Sequence, residues 1–213
     1  MLALDLWSKH HIFATLAPND SKPFLTDIID FHRSLNDGAV FGSFTGQIGL
    51  FVVASIIALV FVLYLFSRCH RSQWVTQIAL ALVLSGALGN LYDRAMIKAD
   101  VVTYAAPSGK TRTWIGKVVD ETEDMVRVGD WPDGGNPTVI DKKHATIRSQ
   151  GVVRDFIRFS PVFPQWLPYF GGRDVWPWVF NIADAALVVG VGILLISSWL
   201  VRHPDPDQGG GAA

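Results

Sequence analysis

The chain has 213 residues, of which 50% are hydrophobic and 17% charged, with 18 Lys and Arg against 19 Asp and Glu. Soluble domains carry about 25% charged residues, so this composition describes a membrane protein with a polar part. The balanced charge leaves no excess of positive side chains for a nucleic-acid backbone, and the single cysteine excludes an internal disulfide and any multi-cysteine zinc or iron–sulfur site.

In chain order, Leu2 to Ala17 is moderately apolar but holds Asp5, Lys9, His10 and His11. The charges interrupt it and no small-residue cleavage site follows, so it is read as the outer part of a first span and not as a secretory signal peptide. Residues 18–46 form an outside segment, with Pro18, Asn19, Asp20 and Pro23 as turn formers. Gly38 to Ser67 and Ser72 to Tyr92 carry no charged residue, and Val175 to Val201 is broken only by Asp184. Each exceeds the ~20 residues that a spanning helix needs. Arg68 and Arg71 lie in the link between the first two of these runs, which puts that link in the cytoplasm and residues 97–175 outside. Trp176 and Trp178 mark the interface at the start of the last span.

The outer loop is β-rich. Thr113 to Val119, Met125 to Val128, Thr138 to Ile140 and Ala145 to Arg148 read as strands around an acidic turn, Asp120 to Asp124, and a loop from Gly129 to Pro137. Residues 97–150 are therefore expected to be an inserted module, a small meander or barrel. Residues 1–96 hold the first three spans, 151–203 a loop and the last span, and 204–213 a disordered tail.

An ionisable group inside a span is costly and is a functional hypothesis by default. Asp184 is one, and Asn181, three residues earlier, is expected on the same helix face. Asn90 and Asp93 repeat that spacing in the preceding span, where Gly86, Ala87 and Gly89 admit a close neighbouring helix. Asp155 lies in an apolar run from Gly151 to Ile157 that could return a carboxylate to the membrane surface. Two carboxylates in one poorly solvated site share a proton, so that one serves as base on water while the other serves as acid. The blander readings are an Asp93–Arg94 interfacial pair, an Asp184 that merely ties helices together, and an Asp5–Lys9 pair along one helical face. No H-E-x-x-H or G-x-S-x-G motif is present, and the adjacent His10 and His11 face different directions on a helix. No metal or cofactor is expected.

Asn90-Leu91-Tyr92-Asp93-Arg94, Val153-Arg154-Asp155-Phe156 and Phe180-Asn181-Ile182-Ala183-Asp184 occur in this order. With Asp5-Leu6-Trp7-Ser8-Lys9 and Asn36-Asp37-Gly38-Ala39-Val40-Phe41-Gly42, they resemble the signature blocks of lipoprotein signal peptidase (signal peptidase II), an aspartic protease of the bacterial inner membrane. The resemblance implies a bundle of four transmembrane helices with a small extracytoplasmic β-cradle at about 18–46. It implies cleavage of prolipoproteins before a diacylglyceryl-modified cysteine, near the periplasmic face, by a lipid-embedded monomer that globomycin inhibits. It makes Asp155 and Asp184 catalytic. Asn36, Asn90, Arg94 and Asn181 would bind substrate or support the pair, and Asp5, Lys9 and Asp93 would be structural. Residues 95–150 stand where that family has a handful, and Arg154 stands where it usually has an apolar residue. A positive charge beside Asp155 would favour its ionised form, which makes Asp155 the expected base. A transporter or proton-conducting protein would also carry intramembrane aspartates, but repeated halves or broken helices are not evident. A membrane scaffold that binds partners through the module is the third class.

Overall fold

The computed structural model describes residues 1–17, 20–38, 48–105, 111–129 and 138–202. Ala39 to Gly42 of the outer-loop block, the loop 130–137 and the tail 204–213 lie outside the described residues. The described residues form four α-helices: α1 (Leu2–Thr15), α2 (Ile48–Arg68), α3 (Trp74–Met96) and α4 (Ile182–Arg202). Among the described residues, two segments are long and apolar enough to cross a membrane, Trp74–Met96 and Ile182–Leu200. In the first charge-free run the described helix is Ile48–Arg68, and α1, at 14 residues, is short of a full span. The last apolar run becomes helical only from Ile182. Pro177 withholds an N–H, and Val179–Phe180 pairs as a strand instead.

Burial in the helices is inverted relative to a soluble protein. Val60, Phe61, Val188, Leu195 and Ile196 are exposed, whereas Asp5, Lys9, Asn90 and Asp93 are buried. Helices that face lipid and turn their ionisable groups inward have this pattern. Glycines set how closely α3 and α4 approach. A Cβ on Gly86 would run into the Ala183 carbonyl oxygen, and one on Gly190 would sit 2.8 Å from the Ala79 carbonyl oxygen.

The described residues also form nine strands, in chain order β1 (Ser21–Leu25), β2 (Ile29–Asn36), β3 (Lys98–Ala105), β4 (Thr111–Glu121), β5 (Met125–Gly129), β6 (Thr138–Asp141), β7 (Ala145–Gly151), β8 (Val153–Phe159) and β9 (Val179–Phe180). They make two antiparallel sheets. The first, in the order β1-β2-β8-β9, caps the helices, with Phe31, Phe156 and Ile157 packed on Ile12 and Leu16 at the end of α1. The second runs β6-β5-β4-β3-β7, and its edge strands β6 and β7 are joined by a 3₁₀ turn, Lys142–His144. Strand alternation gives it two apolar faces. Val102, Trp114, Val126, Val128 and Ile140 form its own core, while Ala99, Val101 and Ile115 pack on Leu35 and Val152 of the first sheet's region. The four expected strands correspond to β4 to β7, and β3 is an addition. The stem of this second sheet is closed, because the Val152 amide donates to the Ile97 carbonyl at 3.0 Å and Lys98 lies opposite Gly151.

Candidate active site

The site grows from the start of α4. A helix leaves its first N–H groups without internal partners, and here polar side chains take them. Asn181 precedes the helix, and its Oδ1 accepts from the Asp184 amide at 3.0 Å. Asp184 Oδ2 in return accepts from the Asn181 amide at 3.1 Å, which completes a reciprocal capping box with Asn and Asp in the two roles. The Ala183 amide donates to Oδ1 of Asp5 on α1 at 2.9 Å. Asp184 is thus held at a helix N-terminus, where the backbone dipoles favour negative charge.

Beneath lies a buried ionic network. Lys9 Nζ is 2.8 Å from Asp5 Oδ2 and 3.4 Å from Asp93 Oδ2, and it donates to Asn90 Oδ1 at 3.1 Å. Arg154 donates to Asp93 Oδ1 through both Nη2 (2.7 Å) and Nε (3.2 Å), and its amide donates to Asp93 Oδ2 at 3.0 Å. Two acids and two bases balance, as burial of charge requires.

Asp155 comes from the middle of β8 and is 2% exposed. Its Oδ2 accepts from Asn36 Nδ2 at 3.0 Å and its Oδ1 from Asn181 Nδ2 at 2.7 Å. Asn181 also donates to Asn90 Oδ1 at 3.1 Å, and Asn90 Nδ2 donates to Asp184 Oδ1 at 2.7 Å. Each carboxylate therefore accepts one hydrogen bond from Asn181, by side chain for Asp155 and by backbone for Asp184. Burial, and then the charge of Asp184, push the Asp155 carboxyl up to about 7 against the pull of the Asn36 and Asn181 hydrogen bonds and of Lys9. A cavity of about 530 Å³ opens beside Asp155, lined by Ser34 to Asp37, Ile115 and Trp176 to Val179.

All nine candidate residues fall in this region. Asp155, Asp184, Asn36, Asn90 and Asn181 form one hydrogen-bonded set, and Asp5, Lys9 and Asp93 lie under it. Arg94, half-buried on α3, interacts electrostatically with Asp184, Asp155 and Asp93. Three expectations are corrected. Asp93 pairs with Arg154 and Lys9, so it does more than cap a span beside Arg94. Arg154 does not favour an ionised Asp155: neighbours along a strand point to opposite faces, Arg154 turns to Asp93, and Asp155 is pushed up. Asn181 is not on the same helix face as Asp184; it stands before the helix and caps it. The N-x-x-D spacing was the signal for that cap. Ile115, Leu35 and the Trp176–Trp178 pair had no comparable signal, because two sheets remote in sequence bring them together.

Residues 1–200 match the family described as signal peptidase (SPase) II. The lipoprotein signal peptidase of Desulfitobacterium hafniense is 28% identical over 194 residues, 91% of this chain and 84% of that protein. That of Anoxybacillus flavithermus is 24% identical over 212 residues, 100% of this chain and 88% of its own. A bacterial membrane enzyme solved by the in meso method at 2.3 Å resolution is similar in fold, with a TM-score of 0.59 and 20% identity over 100% of this chain and 89% of that one. The chain belongs to the signal peptidase II family.

Proposed function

We propose that Asp155 and Asp184 are the catalytic pair with which this peptidase removes signal peptides from prolipoproteins. The observation that carries the assignment is that Asn181 donates to both carboxylates, at 2.7 Å and 3.1 Å, and so fixes them beside each other. Asp155, with its carboxyl near 7, holds the proton that the pair shares, while Asp184 at the helix start carries the charge. Asp184 takes a proton from water as the oxygen adds to the scissile carbonyl, and Asp155 gives its proton to the carbonyl oxygen. The tetrahedral intermediate then collapses as a proton passes to the leaving amine. Asn36, Asn90 and Asn181 position the pair, Arg94 adds positive charge to the site, and Asp5, Lys9 and Asp93 brace the elements that carry it.

The substrate is a prolipoprotein whose cysteine carries diacylglyceryl, cut before that cysteine. The enzyme acts as a monomer in the bacterial inner membrane, with its four helices embedded among lipids and the site near the periplasmic face. The first sheet serves as cradle and residues 97–150 as an inserted module. Incubation of purified protein with a diacylglyceryl-modified prolipoprotein, with and without globomycin, tests this reading. Cleavage before the cysteine that globomycin and Asp155→Asn each abolish is the expected result, and cleavage that survives Asp155→Asn would refute it.

A further inference from the structure

The cavity beside Asp155 has walls of mixed origin. Leu35 and Asn36 come from β2 and the Trp176–Trp178 pair from the approach to α4, but Ile115 comes from β4, in the middle of the second sheet. Ile115 lies opposite Val101 in the strand register and packs in one cluster with Ala99, Val101, Val152 and Leu35. Its side chain is therefore held from behind by both sheets. Trp176 and Trp178 meet edge to face with ring centroids 5.0 Å apart, a stiff apolar surface in the same cavity.

We infer that the second sheet is part of the substrate-binding surface, and that Ile115 sets the size of the apolar side chain accepted next to the scissile bond. The inference rests on the assignment of Asp155 as catalytic: a peptide whose scissile carbonyl meets Asp155 lays its adjoining side chain in the cavity that Ile115 walls. A β-branched wall residue discriminates by bulk, since one methylene in an apolar pocket changes kcat/KM by about tenfold or more.

The test uses the full chain and diacylglyceryl-modified lipopeptides that differ only in the residue before the modified cysteine, Gly, Ala or Leu. Ile115→Ala should raise the ratio of kcat/KM for the Leu peptide over the Gly peptide by well over tenfold, and Ile115→Trp should lower it. Ile115→Val, which preserves the packing, should move the ratio in the direction of Ile115→Ala by a smaller factor. Val139→Ala, at an exposed position on β6, should leave it unchanged. A ratio that no Ile115 variant moves, or that Val139→Ala moves equally, would overturn the role of the second sheet and leave the catalytic assignment intact. Undiminished cleavage by Asp155→Asn would overturn the assignment and this inference with it.

Discussion

Asp184 serves two purposes at one position, since it is the proposed base and also the residue that closes the cap at the start of α4. Asp184→Asn keeps an oxygen to accept from the Asn181 amide, so it should abolish the chemistry without unsettling the helix. Both Asp184→Asn and Asp155→Asn are expected to lower kcat by about 10³-fold, as loss of an acid or base does. Asp184→Ala should in addition cost about 1 kcal/mol of stability through the lost cap, read as a lower unfolding midpoint than that of Asp184→Asn. The pH profile carries a second prediction. Asp155 must keep its proton to act as acid, and its carboxyl lies near 7, so kcat/KM should fall as pH rises through that value. The Asn36 hydrogen bond favours the charged form, so Asn36→Ala should move this alkaline limb to higher pH, and a plot of log kcat/KM against pH reads the shift directly.

Among the elements, α3 is the hub, touching α1, α2, α4 and β8. Its inward face was legible because Asn90 and Asp93 obey a helical spacing that holds wherever the neighbours lie, and both turned out buried. Asp5 and Lys9 were legible as a pair for the same reason. The partners across elements were not, since nothing in the sequence sets Arg154 against Asp93 or Asp5 against the Ala183 amide. Asp93→Ala would strip Arg154 of its paired carboxylate and leave Lys9 with one carboxylate, Asp5, in place of two, which should cost about 3–5 kcal/mol of stability. Gly86→Ala would drive a methyl into the Ala183 carbonyl and should cost about 1–3 kcal/mol. Thermal unfolding in detergent checks both. Residual enzyme in either variant should be slower as well, because Gly86→Ala presses on the start of α4, which carries Asp184, and Asp93→Ala loosens Arg154, the neighbour of Asp155 on β8.

For the molecule as a whole, the division into apolar helices and a β-rich segment between α3 and α4 was legible from charge-free runs and strand-like alternation. Strand β3 escaped because Lys98 and Asp100 interrupt its start and its β-branched apolar residues are only Val101 and Val102, one toward each face. The placement of the second sheet against the first could not be read at all, because it depends on Leu35 and Val152 meeting Ile115 from the far side of a chain reversal. Replacement of residues 99–150 by a short turn should leave cleavage dependent on Asp155 and Asp184 but change which substrates are preferred. A peptide panel run on the wild type and the shortened chain measures both effects.

The chain enters and leaves the second sheet side by side, at the hydrogen bond between Val152 and Ile97, and beyond that doorway the sheet leans on the first through Ile115, Leu35 and Val152. The far strands, β5 and β6, can be lengthened, trimmed or exchanged without touching that contact. The outlying edge of the second sheet is therefore free to diversify faster than the strands that lie against the first.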